Sequence, residues 1–199
     1  MISFALFSAL ATFYFTMFFT PGPNNAMLTT SGMKFGFIKT LPHLIGIPLG
    51  HILQIGLTCF GLVNLFLIYP QIQFYMKIIC FIYLIYLGWK MIGSFSIMQK
   101  ESGRPLRFYE ASLFQFVNPK AWSIAITVAS GFFPTEENIF IGVTFVTVTA
   151  AIICFPTISL WALFGSGLRK FINDEKTKKI VEYLLALLLV LTGLFILLK

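Results

Sequence analysis

The 199-residue sequence predicts an all-α polytopic membrane protein with six transmembrane helices. Of its residues 58% are hydrophobic and only 11% are charged, whereas a soluble domain of this length exposes far more charge. The sequence also contains six apolar runs, each long enough to cross a hydrocarbon layer of roughly 30 Å. These runs cover residues 3–33, 41–68, 74–97, 111–133, 139–165 and 181–198. Finally, the first and fourth runs are interrupted by helix-breaking residues, which indicates broken helices.

The first run contains the sequence TPGPNN at residues 20–25. Residues 1–19 carry no charged side chain, so we expect a retained first helix rather than a signal peptide. The two prolines of TPGPNN lack the N–H group of a helical hydrogen bond and end that helix, while Gly22 loosens the backbone between them. Either Asn24 or Asn25 is then expected to cap a second helix that runs to Met33.

The fourth run contains the corresponding sequence FQFVNPKAW at residues 114–122. Asn118 is predicted to be the N-cap of a new helix and Pro119 its first residue, where no N–H group is missed. Lys120 follows in the first turn, where a cation opposes the helix dipole and is costly in lipid. Lys120 either snorkels or pairs with a carboxylate such as Glu110, or it faces a water-filled pocket and meets the carboxylate of a substrate.

Basic residues are distributed unevenly between the connectors. Eleven of the fourteen Lys and Arg residues lie in the first, third and fifth connectors or, in the case of Lys90, just before the third, which places these connectors in the cytoplasm and both termini in the periplasm. The net charge of +7 is thus explained by topology and does not indicate nucleic acid. The longest polar connector divides one transmembrane domain, residues 1–199, into repeats of about 1–98 and about 110–199. Because each repeat has three spans, the two repeats are expected to be inverted.

Paired breaks at matching positions of two inverted halves are typical of the substrate site of a secondary transporter. With the predicted topology, the two half-helices start near mid-membrane and direct their positive dipole ends at a common anion site. The spans lack acidic residues away from their ends, which favours neutral or anionic substrates. The predicted substrate-binding residues, for which capping alone is the alternative role of the asparagines, are Thr20, Pro21, Gly22, Pro23, Asn24, Asn25, Asn118, Pro119 and Lys120.

His51 is the candidate for proton coupling, because a histidine exchanges protons near neutral pH; its alternative role is a hydrogen-bonded helix contact. His43 is a weaker candidate. No cofactor or metal site is expected. Two isolated histidines without an acidic pair do not form a catalytic site, so an enzyme is not predicted. A membrane thiol-disulfide electron carrier needs cysteines near the breaks, but Cys59, Cys80 and Cys154 lie in other spans.

The motifs TPGPNNAMLTTSGMKFGFIKTLPHLIGIPLGH, IYLIYLGWKMI and FQFVNPKAW, in this order and spacing, resemble the LysE/RhtB family of bacterial amino-acid exporters. The resemblance covers essentially the whole chain, and the NN and FQFVNPK segments are most similar to the branch that exports cysteine and O-acetylserine. It implies an inner-membrane exporter of amino acids, driven by protons and embedded in the lipid bilayer. A passive small-solute channel is the alternative, and formation of a homo-oligomer is left open.

Overall fold

The computed structural model describes residues 2–62, 68–69, 71–92, 104–134, 137–171 and 175–198. Within these ranges the protein is all-helical and has no strand. The α-helices are α1 Phe4–Phe19, α2 Pro23–Phe35, α3 Phe37–Leu57, α4 Gln71–Met91, α5 Phe108–Phe114, α6 Pro119–Gly131, α7 Ile139–Phe171 and α8 Glu175–Leu198. A π-helical turn, Thr58–Leu62, extends α3, and a 3-10 turn, Gln115–Val117, follows α5.

The chain bends where α1 meets α2. The two helices are inclined by 56° to one another, and the residues between Phe19 and Pro23 are not helical. Gly22, and not an asparagine, is the N-cap of α2, so the predicted capping role of Asn24 or Asn25 is wrong. The reason is Pro23, which occupies the first helical position with a dihedral angle already suited to a helix and therefore starts α2 earlier.

The predicted loop between the first two apolar runs is reduced to one residue. Gly36 alone separates α2 from α3, with a φ of 83° that favours glycine. Lys39, expected in this connector, lies inside α3. Helices α7 and α8 likewise extend beyond their apolar runs, to Phe171 and from Glu175 respectively. The apolar runs thus mark the apolar part of these two helices, whereas polar residues beyond the runs continue the same helices.

Among the described residues, two helices are individually long and apolar enough to cross a membrane. These are α3 with its π-helical turn, Phe37–Gly61, and the main part of α7, Ile139–Leu168. The bent pair of α1 and α2 is a third candidate when it is counted as one span. The structure therefore supports a helical membrane protein, while the full set of six spans and their inverted arrangement stay predictions.

Glycines allow the helices to approach closely at two places. Gly32 of α2 and Gly165 of α7 lie at the α2–α7 contact, and a Cβ atom at either position would overlap backbone atoms of the other helix. Gly46 and Gly50 of α3 lie in the same way against α5. Such close contacts at small residues are common in packed membrane helices.

The central core forms where α3 and α7 pack together with α1 and α6. Its fully buried side chains include Tyr14, Ile47, Ala125 and Cys154. Tyr14 also donates a 2.9 Å hydrogen bond from its hydroxyl group to the backbone oxygen of Val146 in α7. This packing holds the start of α2 and the start of α6 beside the middle of α3.

Candidate functional site

The first turns of α2 and α6 lie side by side. A Cβ atom at Gly22, the N-cap of α2, would lie 2.9 Å from Cδ of Lys120 in the first turn of α6. Both helices have 13 residues and begin with proline. The first N–H groups of a helix have no intrahelical partner, and the helix dipole adds partial positive charge at the same end. Two electropositive helix starts therefore meet in one small region of the molecule.

Asn118 caps α6 as its sequence predicts. Its Oδ1 atom accepts a 3.1 Å hydrogen bond from the backbone N–H group of Lys120, and Pro119 is the first helical residue. The side chain of Asn118 is only 1% exposed and lies on the cavity described below. This hydrogen bond fixes the orientation of the Asn118 side-chain amide, because its Oδ1 atom is bound to the start of α6.

Lys120 crosses from α6 to the end of α1. Its Nζ atom donates hydrogen bonds to the backbone oxygen of Thr20 at 2.7 Å, the Oγ1 atom of Thr20 at 2.9 Å and the backbone oxygen of Pro21 at 3.3 Å. Glu110, a partner considered from the sequence, instead accepts hydrogen bonds from Arg104 and from the backbone of Arg107. The cationic group is therefore compensated by oxygens at the C-terminal, negative end of the α1 dipole.

Asn25 also binds the C-terminal end of α1. Its Nδ2 atom donates 2.8 Å hydrogen bonds to the backbone oxygens of Phe18 and Thr20, and its side chain is buried. These carbonyl groups lie in the last turn of α1, where no intrahelical N–H group is available. Asn25 thus closes α1 rather than opening α2, which gives the doubled asparagine a role that the local sequence did not reveal.

Asn24 pairs with Gln115, a residue that the sequence interpretation missed. The two amides bond reciprocally, Asn24 Nδ2 to Gln115 Oε1 at 2.8 Å and Gln115 Nε2 to Asn24 Oδ1 at 3.2 Å. Gln115 is fully buried, and its backbone oxygen accepts a 3.1 Å bond from Nε2 of Gln54, also fully buried. An amide inside an apolar run was the available signal, since such a group needs a partner when buried.

A cavity opens between α1, α2, α3, α6 and α7. The volume of this cavity, including the part that is open to the surroundings, is about 300 Å³. One part of the wall is polar and holds the two helix starts, while the rest is apolar. The lining residues are Met17, Phe18, Gly22, Pro23, Asn24, Asn25, Ile47, His51, Asn118, Lys120, Ala121, Ile124 and Ile158.

Among the described residues, the lining holds one cationic group, that of Lys120, together with neutral polar groups, and it has no carboxylate. Glu182, the second residue of the last apolar run, is buried inside α8 with 2% of its surface exposed, but it does not line the cavity. No group of His, Cys, Asp and Glu in the described part of the chain is arranged to hold a metal ion. The chemistry available at the cavity is therefore hydrogen bonding and attraction of an anion.

His51 faces this cavity from α3. It is 2% exposed, and its ring stands edge-on to Phe18 with the ring centroids 5.1 Å apart. Its Nδ1 atom has no hydrogen-bond partner within the described residues. His43, also in α3, is equally buried, and both of its ring nitrogens lack a hydrogen-bond partner among the same residues. It does not line the cavity.

The structure brings most of the predicted residues together. Six of them line the cavity, namely Gly22, Pro23, Asn24, Asn25, Asn118 and Lys120. Thr20 and Pro21 do not line it but provide the oxygens that hold Lys120, and Pro119 starts α6. Of the cysteines, Cys59 is half-buried and Cys154 is buried, both as free thiols; the side chain of Cys80 lies outside the described residues.

Comparison with known proteins gives consistent matches over nearly the whole chain. The family described as LysE type translocator matches residues 15–199. A protein of Salmonella paratyphi A named cysteine/O-acetylserine efflux protein is 30% identical over 186 residues, which cover 93% of this chain and 94% of that protein. A protein of the same name from Escherichia coli K12 is 28% identical over the same coverage. No solved structure matches the chain.

Proposed function

Because the chain belongs to the LysE type translocator family, matched across residues 15–199, we propose that it exports small neutral amino acids or close derivatives. Cysteine and O-acetylserine are the first candidates, because the efflux proteins that resemble it carry these names. The export takes place across the bacterial inner membrane, with both termini in the periplasm. Residues 1–199 form one transmembrane domain built from two inverted repeats.

The observation that carries this proposal is the meeting of Lys120 with the two helix starts at one cavity. Backbone N–H groups at two helix starts, together with one ammonium group, favour a carboxylate. The described residues of the lining include no carboxylate, which disfavours a substrate with a cationic side chain. The apolar wall formed by Ile47, Ile124 and Ile158 suits a short neutral side chain. A neutral amino acid satisfies both requirements at once.

The pattern of helix contacts supports two repeats. If α1, α2, α3 and α4 correspond to α5, α6, α7 and α8, then the α2–α7 contact corresponds to the α3–α6 contact. In the same way, the α3–α5 contact corresponds to α1–α7, and α2–α8 to α4–α6. The contacts of α3 with α7 and of α4 with α8 correspond to themselves. These matching contacts agree with a two-fold relation between the halves, as in transporters with inverted repeats, whereas the α2–α3 contact is more extensive than its counterpart α6–α7 among the described residues.

Alternating access requires the halves to separate on one side at a time. Two polar contacts join the breaks of the two halves, Lys120 with Thr20 and Asn24 with Gln115. A substrate carboxylate at the helix starts attracts Lys120 and so weakens one of these contacts when the site is filled. An inward flow of protons provides the driving force, with His51 as the group that takes up and releases the proton.

The proposal is tested by measuring intracellular amino acids in cells with and without the protein. One selectively lowered compound identifies the substrate, and Lys120→Met should abolish both this decrease and the resistance to the same compound at toxic concentration. Lys39→Met is the matched control, because Lys39 is an exposed lysine of α3 that lies away from the cavity. Normal resistance in cells with Lys120→Met would show that the carboxylate role is wrong.

Collapse of the proton gradient separates the exporter from a passive channel. The exporter should lose its ability to lower the intracellular concentration below the external one, while a channel only equalises the two. Concentration differences that persist without a gradient would contradict proton coupling. Replacement of all three cysteines by serine should leave export intact, which distinguishes it from thiol-disulfide electron transfer.

A further inference from the structure

The side chain of Lys120 marks a place in this structure where a primary ammonium group, its own, is held. Its Nζ atom is held by three neutral oxygen atoms, at 2.7 and 2.9 Å from Thr20 and at 3.3 Å from Pro21. These residues directly follow α1, whose last carbonyl groups have no intrahelical partner and carry the negative end of the helix dipole. The end of α1 is therefore a cation site that needs no carboxylate.

We infer that this ammonium site, formed by Thr20 and Pro21, receives the α-ammonium group of the transported amino acid in exchange for Lys120. The inference rests on the proposed function, which places the substrate carboxylate at the starts of α2 and α6. An α-ammonium group has the same three N–H donors as Nζ of lysine. The three oxygens that satisfy one therefore also satisfy the other.

The chain connectivity places the two subsites next to each other. Pro21 of the ammonium site is followed by Gly22, the N-cap of α2, and Gly22 lies against the Lys120 side chain. A carboxylate at the helix starts and an ammonium group at Pro21 are thus within reach of a single α-carbon. When the substrate enters, Lys120 turns to the carboxylate and the α-ammonium group takes the oxygens that it leaves.

This exchange keeps every buried charge paired. Before binding, Lys120 is compensated by the end of α1; after binding, Lys120 faces the carboxylate and the substrate ammonium faces the end of α1. A carboxylic acid without an amino group leaves Oγ1 of Thr20 and the Pro21 oxygen without an ammonium donor once Lys120 has moved, and it leaves the Thr20 backbone oxygen with its bond from Asn25 alone. This loss is costly for the part-buried acceptors of Thr20. The site therefore selects for amino acids although the part of its lining that the structure describes has no acidic residue.

The first test compares two ligands that differ only in the amino group, L-cysteine and 3-mercaptopropanoate, on the purified full-length protein under reducing conditions. Thr20→Val removes one of the three acceptors and keeps the side-chain shape. The preference for L-cysteine over 3-mercaptopropanoate should fall about tenfold, the effect of one hydrogen bond to a charged group. Thr16→Val is the control, because the hydroxyl of Thr16 donates only within α1 to Thr12. An unchanged preference in Thr20→Val would overturn the inference.

The second test does not depend on the identity of the substrate. In Lys120→Met the ammonium site is vacated, so the variant should bind cysteamine, an amine without a carboxylate, which the unaltered protein and Lys39→Met should not bind. Adding Thr20→Val to Lys120→Met should weaken this binding about tenfold. A folded Lys120→Met that does not bind cysteamine would refute the ammonium site. If the unaltered protein transports no amino acid, the proposed function fails, and the cysteamine result still decides the existence of the site.

Discussion

The Nζ atom of Lys120 lies 2.7 Å from the backbone oxygen of Thr20, a residue 100 positions earlier in the chain. This hydrogen bond joins the electropositive start of α6 to the electronegative end of α1. A lysine in the first turn of a helix is unfavourable in isolation, since it adds a cation to the positive end of the dipole. The end of α1 offsets that cost, and the two broken segments consequently depend on each other.

Gly22→Ala should disturb this contact without removing the charge. Gly22 has an extended backbone, with a φ of −175°, that any residue adopts, so alanine does not strain the chain. Its Cβ atom would instead lie 2.9 Å from Cδ and 3.0 Å from Nζ of Lys120 and push the lysine aside. Export should fall about tenfold or more, which corresponds to one weakened charge-assisted hydrogen bond.

Export of the substrate from loaded cells measures this effect, and Gly167→Ala is the matched control. Gly167 lies inside α7, and a Cβ atom there meets nothing within 4 Å. Alanine is also the better helix former, so this variant should export normally. Equal export by both variants would show that the position of Lys120 is not critical.

Alanine variants of Asn118 and Asn138 distinguish helix capping from substrate binding. Asn118 caps α6 at the cavity, whereas the Oδ1 atom of the exposed Asn138 accepts a 2.9 Å hydrogen bond from the backbone of Phe140 at the start of α7. Replacement of either by alanine should lower the free energy of unfolding by about 1 kcal/mol, the usual value of an N-cap. Only Asn118→Ala should abolish export.

Thermal denaturation of the purified variants gives the stability change, and export from cells gives the activity. Normal export in Asn118→Ala would mean that Asn118 is a cap and nothing more. Loss of export in Asn138→Ala as well would attribute both effects to stability.

The acidic residue Glu110 makes stability depend on pH. Hydrogen bonds from the Arg104 guanidinium and from the Arg107 backbone lower the pKa of this carboxyl from 4.5 to about 2. Because the pKa of Glu110 is lower in the folded than in the unfolded protein, its ionised carboxylate stabilises the fold fully at pH values above the unfolded pKa. This contribution is lost as the pH falls towards 2. The unaltered protein should therefore be more stable than Glu110→Gln at pH 6, by a small amount because the ion pair is partly exposed.

Thermal midpoints of the two proteins in detergent, measured from pH 7 to pH 2.5, test this dependence. The difference between them should shrink as the pH falls below about 4.5. A constant difference over the whole range would mean that the ionised carboxylate of Glu110 does not contribute.

Local chemistry predicted the Asn118–Pro119 helix start, because the N-cap preference and the tolerance for proline both act within two residues. The same reasoning failed at Gly22, where Pro23 starts the helix before the asparagines are reached. The roles of Asn25 and Lys120 were not predictable in this way. Both residues serve the end of α1, and their partners are defined by how the chain folds back.

The buried amides show the same limit over longer distances. Gln115 lies 91 positions from Asn24 and 61 positions from Gln54, so no local pattern connects them. Composition indicates that a buried amide needs a partner, but only the packing of α2, α3 and the turn after α5 determines which one. Apolar composition, by contrast, is a local property, and each of the six runs contains helix among the described residues.

The two buried histidines should differ in their effect on transport. His51 lines the cavity and His43 does not, although both are 2% exposed and both have a ring nitrogen without a partner among the described residues. Glutamine preserves hydrogen-bonding groups but does not titrate, so His51→Gln should uncouple transport from protons while retaining the cavity. His43→Gln removes an equally buried histidine away from the substrate and should behave like the unaltered protein.

Flux of labelled L-cysteine in proteoliposomes, with and without an imposed pH gradient, distinguishes these outcomes. The gradient should accelerate transport by the unaltered protein and by His43→Gln, and His51→Gln should transport at the gradient-free rate in both conditions. Retention of the full gradient response by His51→Gln would exclude His51 as the proton carrier. Loss of the response in His43→Gln alone would transfer that role to His43, because both variants keep the same hydrogen-bonding capacity and differ only in position.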